Sequence, residues 1–273
     1  MTQTGEMTVA IGGLGAIGMK VARVLDQGGI PGCRLVAVAT SDPKRAAERV
    51  ADFATPPEVT DLAGLADKAD IIIESVPARL FAEIGRPALE AGKIFMPLSV
   101  GALLDHMELV DLAKKTGGRI HVPSGALLGL DAVRGASEGE VFSVTMETRK
   151  PPRGLKGAPY IEQNKIDLDA IKEPTVIFEG SAREAVRGFP ANVNVAVALS
   201  LAGIGPDKTT IRLYADPTVD RNTHTITVDA DSTRFTMKIE GVPSPENPAT
   251  GKLTPLSVLA ALRGIVAPLR IGS

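Results

Sequence analysis

The sequence predicts an α/β protein built from two sheet domains, and three observations carry that expectation. From Thr8 to about Asp131, short β-rich apolar runs alternate with longer helix-like segments, the pattern of βαβ units wound into a parallel sheet. After Ala136 the apolar runs lengthen and alternate more strictly, as in a second α/β domain on an open mixed sheet. A glycine-rich turn, Gly13-Leu14-Gly15-Ala16-Ile17-Gly18, joins the first strand directly to the first helix.

The first domain is expected over residues 1–135. Its strands are Val9-Ala10-Ile11, Leu35 to Ala39, Ile71-Ile72-Ile73, Ile94-Phe95-Met96 and Ile120-His121-Val122, with helices over Ala16 to Gln27, Arg79 to Ala91 and Asp105 to Lys115. Several of these strands are apolar on both faces, which suits a sheet covered by helices on both sides. Residues 136–252 form the second domain, with strands over Val141 to Thr148, Thr175 to Phe178, Thr209 to Tyr214, His224 to Val228 and Thr233 to Ile239. Helices over Ala182 to Arg187 and Val193 to Leu201 interrupt them. Beyond the Pro-rich stretch Pro243 to Pro248, helical periodicity returns from Leu253 to Val266, and residues 253–273 are expected to pack back on the first domain.

A chain of 273 residues has room for two domains, and 44% hydrophobic with 23% charged residues is ordinary for a globular protein. With 30 Lys plus Arg against 32 Asp plus Glu, nothing favours nucleic acid or an anionic membrane surface, and a small-molecule partner fits better. Met1 to Met7 is polar, so neither a signal peptide nor a membrane span is indicated and a cytoplasmic location is expected. Cys33, the single cysteine, excludes an internal disulfide and a cysteine-based zinc cluster, and no metal site is expected.

The glycine turn has the order that a dinucleotide requires. Gly13 permits the tight turn, Gly15 lets the backbone approach a pyrophosphate, Gly18 allows close helix–strand packing, and the helix N-terminus at Ala16 and Ile17 presents N–H groups to the phosphates. Placed in the first strand–turn–helix unit and followed by further βα units, it marks a Rossmann-type dinucleotide-binding domain. The second strand ends in Thr40-Ser41-Asp42-Pro43-Lys44-Arg45. Asp42 lies a little late for a ribose hydroxyl and equally suits the cap of a helix begun by Pro43, while Thr40 and Ser41 with Lys44 or Arg45 nearby suit a ribose phosphate, so NAD and NADP both stay open.

Proton transfer at neutral pH points to histidine, with an unperturbed pKa of about 6.5. His106 lies among helix-forming residues on the surface and His121 in a buried strand, and both read as structural. His224 follows the polar turn Asp220-Arg221-Asn222 at the start of a strand, where Asn222 or Asp220 would orient its ring.

Four further stretches resemble the L-aspartate dehydrogenase family: Ser99-Val100-Gly101-Ala102-Leu103, Pro123-Ser124-Gly125-Ala126 with Gly129-Leu130-Asp131, Pro190-Ala191-Asn192-Val193-Asn194-Val195-Ala196, and Asn222-Thr223-His224-Thr225-Ile226. With Thr148-Arg149-Lys150-Pro151-Pro152 and Gly180-Ser181-Ala182, the similarity covers nearly the whole chain. The resemblance implies NAD(P)-dependent interconversion of L-aspartate with oxaloacetate and ammonia through iminosuccinate. It implies His224 as the catalytic acid/base, and Ala126 and Asn194 as cofactor contacts. The family often has a second glycine where this chain has Leu128. A dicarboxylate needs cationic or amide anchors; Lys150, Arg149 and Arg183 are available but read as solvated surface charges, and backbone N–H groups around Ser99 to Ala102 or Ser124 to Ala126 offer a substitute. A homodimer through the second domain's sheet is expected, since an open sheet leaves a face to cover. Another amino acid or imine dehydrogenase of the same architecture, such as a homoserine dehydrogenase, is the nearest alternative. Met96-Pro97-Leu98 stands where the inositol dehydrogenase group has Glu-Lys-Pro, and the paired histidines of dihydrodipicolinate reductase are missing. A non-enzymatic NAD(P) sensor is a further alternative, but no partner-binding tail supports it.

Overall fold

In the computed structural model, which describes residues 5–190, 193–247 and 250–272, the chain divides into two units. One takes the residues up to Pro123 together with Thr254–Arg270, and the other takes Ser124–Leu253 and the last residues of the chain.

The first unit runs β1 (Met7–Gly12), α1 (Ala16–Asp26), β2 (Cys33–Ala39), α2 (Pro43–Val50), β3 (Glu58–Thr60), α3 (Leu65–Lys68), β4 (Ile71–Glu74), α4 (Phe81–Glu90), β5 (Ile94–Pro97), α5 (Val100–Leu103), α6 (Glu108–Thr116) and β6 (Arg119–Ile120). The strands pair in the order β3-β2-β1-β4-β5-β6, all parallel. Val9 faces Ile71 and Ile11 faces Ile73 in register, and all four side chains are fully buried. Burying each contributes roughly 1.5–3 kcal/mol. Because β2 lies on one side of β1 and β4 on the other, the winding reverses at β1, and the crevice off the carboxyl ends of β1 and β4 is where such sheets take ligands. The strand expected over Ile120 to Val122 is shorter: β6 stops at Ile120 on the sheet edge, paired on one side only, and His121 is exposed rather than buried.

The second unit continues with α7 (Leu130–Ala136), β7 (Val141–Lys150), α8 (Pro159–Gln163), β8 (Thr175–Ser181), α9 (Ala182–Gly188), α10 (Asn194–Ala202), β9 (Thr210–Ala215), β10 (Thr223–Ala230) and β11 (Arg234–Glu240). The order is β11-β10-β7-β9-β8, with β7 and β9 parallel and the other pairs antiparallel, a mixed sheet. Strict alternation sends Val144 and Met146 of β7, Ile211 and Leu213 of β9, and Ile226 and Val228 of β10 into one core with Leu199 of α10. Tyr160, Phe178 and Phe189 close that core with ring centroids 5.3–5.6 Å apart. Thr145, Glu147, Arg149, Thr225 and Thr227 occupy the opposite, partly exposed face. β7 runs two residues beyond its expected end at Thr148, because Arg149 and Lys150 stay in register with Tyr214 and Ala215 of β9.

The last helix, α11 (Leu253–Val266), places Val258 and Leu262 in the first unit's core beside Val21 and Leu25 of α1, and the Arg263 guanidinium donates to the Gly29 carbonyl.

Candidate functional site

Each glycine of the first turn has a distinct steric reason. Gly13 has φ +93°, and a Cβ there would sit 2.4 Å from the Ser75 carbonyl oxygen; a Cβ on Gly18 would sit 2.0 Å from the Gly13 carbonyl oxygen. A Cβ on Gly15 would meet nothing within 4 Å. Space is therefore left open only where a ligand would approach the backbone. Gly15 is the N-cap of α1, whose first turn, including Ala16, Ile17 and Gly18, carries no acidic side chain, so the helix end presents free N–H groups and a positive dipole end to an anion. This geometry fits a dinucleotide pyrophosphate. Ser75, just past β4, donates from Oγ to the carbonyls of Gly12 (3.0 Å) and Gly13 (2.8 Å), and Arg49 donates to the Leu14 carbonyl, so the turn is held from both sides.

Ser41 is exposed past the end of β2 and lines a cleft of about 640 Å³ with Thr40, Pro43, Val59, Thr60 and Asp61. Asp42 is the N-cap of α2, accepting from the Arg45 N–H at 3.1 Å.

Glu74 ends β4 and is fully buried. Its carboxylate accepts from the N–H groups of Val76 (2.9 Å), Leu98 (3.2 Å) and Ser99 (2.9 Å) and from Ser99 Oγ (3.0 Å). It thus ties together the loops that leave β4 and β5. Burial raises its pKa against the opposing pull of these hydrogen bonds. The Ser99 N–H expected as a substrate anchor is committed to this carboxylate.

In the second unit, the core-facing row of β7 turns polar at its end: Val144 and Met146 give way to Thr148 and Lys150, 3% and 5% exposed. On β10, the matching row Val228–Ile226 ends in His224, 4% exposed. Thr148 and His224 face each other in register, and Thr148 Oγ1 is 2.9 Å from Nδ1 of His224. Desolvation first, and the Lys150 charge second, push the imidazole down to about 4, while desolvation pushes the Lys150 ammonium down to about 8. The site therefore holds a neutral imidazole at pH 7, with one ring nitrogen fixed by a hydroxyl.

This placement corrects several expectations. The partner of the His224 ring is Thr148, not Asn222 or Asp220; Asp220 is held by Arg221 at 2.8 and 3.0 Å. Lys150 is a buried charge rather than a solvated one, because the longer β7 turns it inward. Arg149, on the outward row, pairs with Asp216 at 3.0 Å and lies over the Tyr214 ring, and Arg183 pairs with Asp207 at 2.6 and 2.9 Å. His106 stacks on Phe81 at 5.7 Å, in keeping with a structural role.

The predicted site residues therefore group by unit. Gly13, Gly15, Ala16, Ile17 and Gly18 form one turn of the first, with Ser41 at the end of the adjacent strand. Ala126, in the loop before α7, and Asn194, the first residue of α10, belong with His224 to the second, and both are half-buried. Ala191 and Asn192 lie outside the described residues. Position 128 has no positive φ that would demand glycine, and Leu128 is 52% exposed. Among the described residues no group of three His, Cys, Asp or Glu side chains is placed to hold a metal, and no helix is long and apolar enough to cross a membrane.

Residues 131–265 match the family model described as aspartate dehydrogenase, C-terminal, and residues 13–123 match homoserine dehydrogenase, NAD binding domain. An L-aspartate dehydrogenase of Bradyrhizobium diazoefficiens is 53% identical over 272 residues, covering 100% of this chain and 96% of its own. One from Methanosarcina barkeri is 41% identical over 272 residues, covering 98% and 100%. The crystal structure of aspartate dehydrogenase from Thermotoga maritima gives a TM-score of 0.74 at 26% identity, covering 97% of this chain and 99% of that one.

Proposed function

Because the chain belongs to the L-aspartate dehydrogenase family, whose cofactor is NAD or NADP, we propose that it interconverts L-aspartate with oxaloacetate and ammonia through iminosuccinate, with His224 as general acid/base. The observation that carries this reading is the buried, neutral His224 imidazole held at Nδ1 by Thr148. The turn Gly13 to Gly18 would hold the cofactor pyrophosphate, with Ser41 at the ribose end, and the family resemblance gives Ala126 and Asn194 as further cofactor contacts. The bound nicotinamide supplies acceptance or donation of the hydride at the substrate carbon.

The remaining work falls to the chain. When Nδ1 carries the ring proton and donates it to Thr148 Oγ1, Nε2 keeps its lone pair and acts as a base. In the deaminating direction Nε2 takes a proton from the water whose oxygen attacks the imine carbon. The imidazolium then returns it to the amino nitrogen of the carbinolamine, and the ring, neutral again, takes the hydroxyl proton as the carbonyl forms and ammonia leaves. Desolvation favours the return step, since the buried ring holds its extra proton weakly.

A homodimer through the partly exposed face of the second sheet, bearing Thr145, Glu147, Arg212 and Thr225, completes the reading, and a monomer by light scattering at micromolar concentrations would remove it. Loss of nicotinamide absorbance with oxaloacetate, ammonia and reduced cofactor tests the activity. In the same assay His224→Asn should lower kcat by about 10²- to 10⁴-fold at unchanged cofactor affinity. No turnover by the wild-type protein would sink the reading, and a variant loss below about threefold would move the acid/base role elsewhere.

A further inference from the structure

Glu74 is the last residue of β4 and stands in register between Gly12, the last of β1, and Pro97, the last of β5. A buried carboxylate is costly unless hydrogen bonds satisfy it, and here both oxygens are occupied. Oε1 accepts from the Val76 N–H and from Ser99 Oγ, and Oε2 accepts from the N–H groups of Leu98 and Ser99. Resting on the reading that the Gly13 to Gly18 turn takes a dinucleotide, we propose that Glu74 is a positioning residue for the cofactor. Anchored on the exit of β5, its carboxylate fixes Ser75 and Val76, and through Ser75 it sets the backbone of the pyrophosphate turn.

The route is continuous within the first unit. Glu74 holds the Val76 N–H, and the Val76 carbonyl accepts from Ser99 Oγ at 3.1 Å. Ser75, between Glu74 and Val76, donates its N–H to the Gly12 carbonyl at 2.8 Å, while its Oγ holds the Gly12 and Gly13 carbonyls. The same Oγ would lie 2.7 Å from a Cβ on Gly18, and the Ser75 carbonyl oxygen is the atom that a Cβ on Gly13 would strike. Ser75 therefore packs against two of the three glycines, and the turn keeps its shape only while Ser75 keeps its place. A backbone fixed before its ligand arrives loses less freedom on binding.

Glutamine is the discriminating replacement, since it has the same shape and a single acceptor oxygen. Whichever way the amide is turned, its NH2 meets either the Val76 N–H or the N–H groups of Leu98 and Ser99. Because Ser99 Oγ can accept as well as donate, the first arrangement is the less costly, and it frees the exit of β4.

The full-length Glu74→Gln variant, folded by circular dichroism, should bind NADH at least about tenfold more weakly in a fluorescence titration. The loss should appear in KM for NADH, with kcat at saturating NADH within about threefold of wild type. Ser75→Ala should weaken NADH binding about fivefold, and the double variant should bind no more weakly than Glu74→Gln alone, because both substitutions interrupt one route. A carboxylate that serves only the fold would lower the melting temperature and leave the affinity of the folded protein unchanged; that result, or losses that add in the double variant, would overturn the proposal. Should Glu74→Gln fail to fold, Ser99→Ala decides, since it withdraws one of the four donors and the hydroxyl on the Val76 carbonyl. NADH binding weakened about threefold or more supports the route, and wild-type affinity overturns it. Wild-type protein that binds neither NADH nor NADPH would overturn the dinucleotide reading of the turn together with this one, whereas wild-type binding with insensitive variants overturns the Glu74 role alone.

Discussion

Thr148 Oγ1 and His224 Nδ1 meet at 2.9 Å across paired positions of β7 and β10, a contact made by strand register between residues 76 apart in sequence. Thr148→Val keeps the shape and removes the hydroxyl. A buried ring nitrogen left without its partner costs about 1–3 kcal/mol, and either tautomer becomes accessible. The expected result is a kcat reduced by about tenfold with KM for reduced cofactor unchanged. Wild-type kcat in this variant would show that the hydroxyl does not orient the ring.

The folded-state pKa of His224, about 4, lies below its ordinary value of 6.5. Between these values the unfolded chain binds the proton and the folded chain does not, so stability falls as pH drops from about 6.5 through 4 and levels off below. The Thr148 hydroxyl and the Lys150 ammonium, the polar groups facing the ring, leave this direction unchanged. The loss amounts to on the order of 3 kcal/mol. Urea titrations of wild type and His224→Asn across that window should converge at the acid end; parallel curves would contradict the buried neutral state.

Two glycines of the same turn should respond differently. Gly15→Val enters open space and should lose no more than about 1 kcal/mol of stability while weakening NADH binding at least tenfold by calorimetry. Gly18→Val drives side-chain atoms against the Gly13 carbonyl and should lower the melting temperature outright. Unchanged cofactor affinity in a folded Gly15→Val protein would remove the pyrophosphate assignment.

Cofactor selectivity should be moderate. Asp42 spends one carboxylate oxygen on the cap of α2, and the exposed Ser41 and Arg45 place no repulsion against a ribose phosphate. A kcat/KM ratio between NADH and NADPH above roughly a thousandfold, about 4 kcal/mol, would contradict this.

The parallel sheet is legible because β1, β2, β4 and β5 each contain a short continuous apolar run, and the glycine turn because its determinants lie within six consecutive residues. His224 stood out through a polar turn and a family resemblance. Its surroundings did not, since Thr148 and Lys150 acquire meaning only from the pairing of β7 with β10, and a lysine at an alternating position reads equally well as inward or outward. Glu74 escaped for the same reason: its acceptors' partners come 24 and 25 residues later, at the end of another strand.

The return of α11 has a consequence for synthesis on the ribosome. The first unit needs Val258 and Leu262 to complete its core, whereas the second is essentially one contiguous stretch. The usual order, in which the N-terminal domain matures first, therefore cannot complete the first unit, whose core is filled only once α11 has been synthesised. A polypeptide stopped before Leu253 would leave the apolar surface that α11 covers open to chaperones or to aggregation.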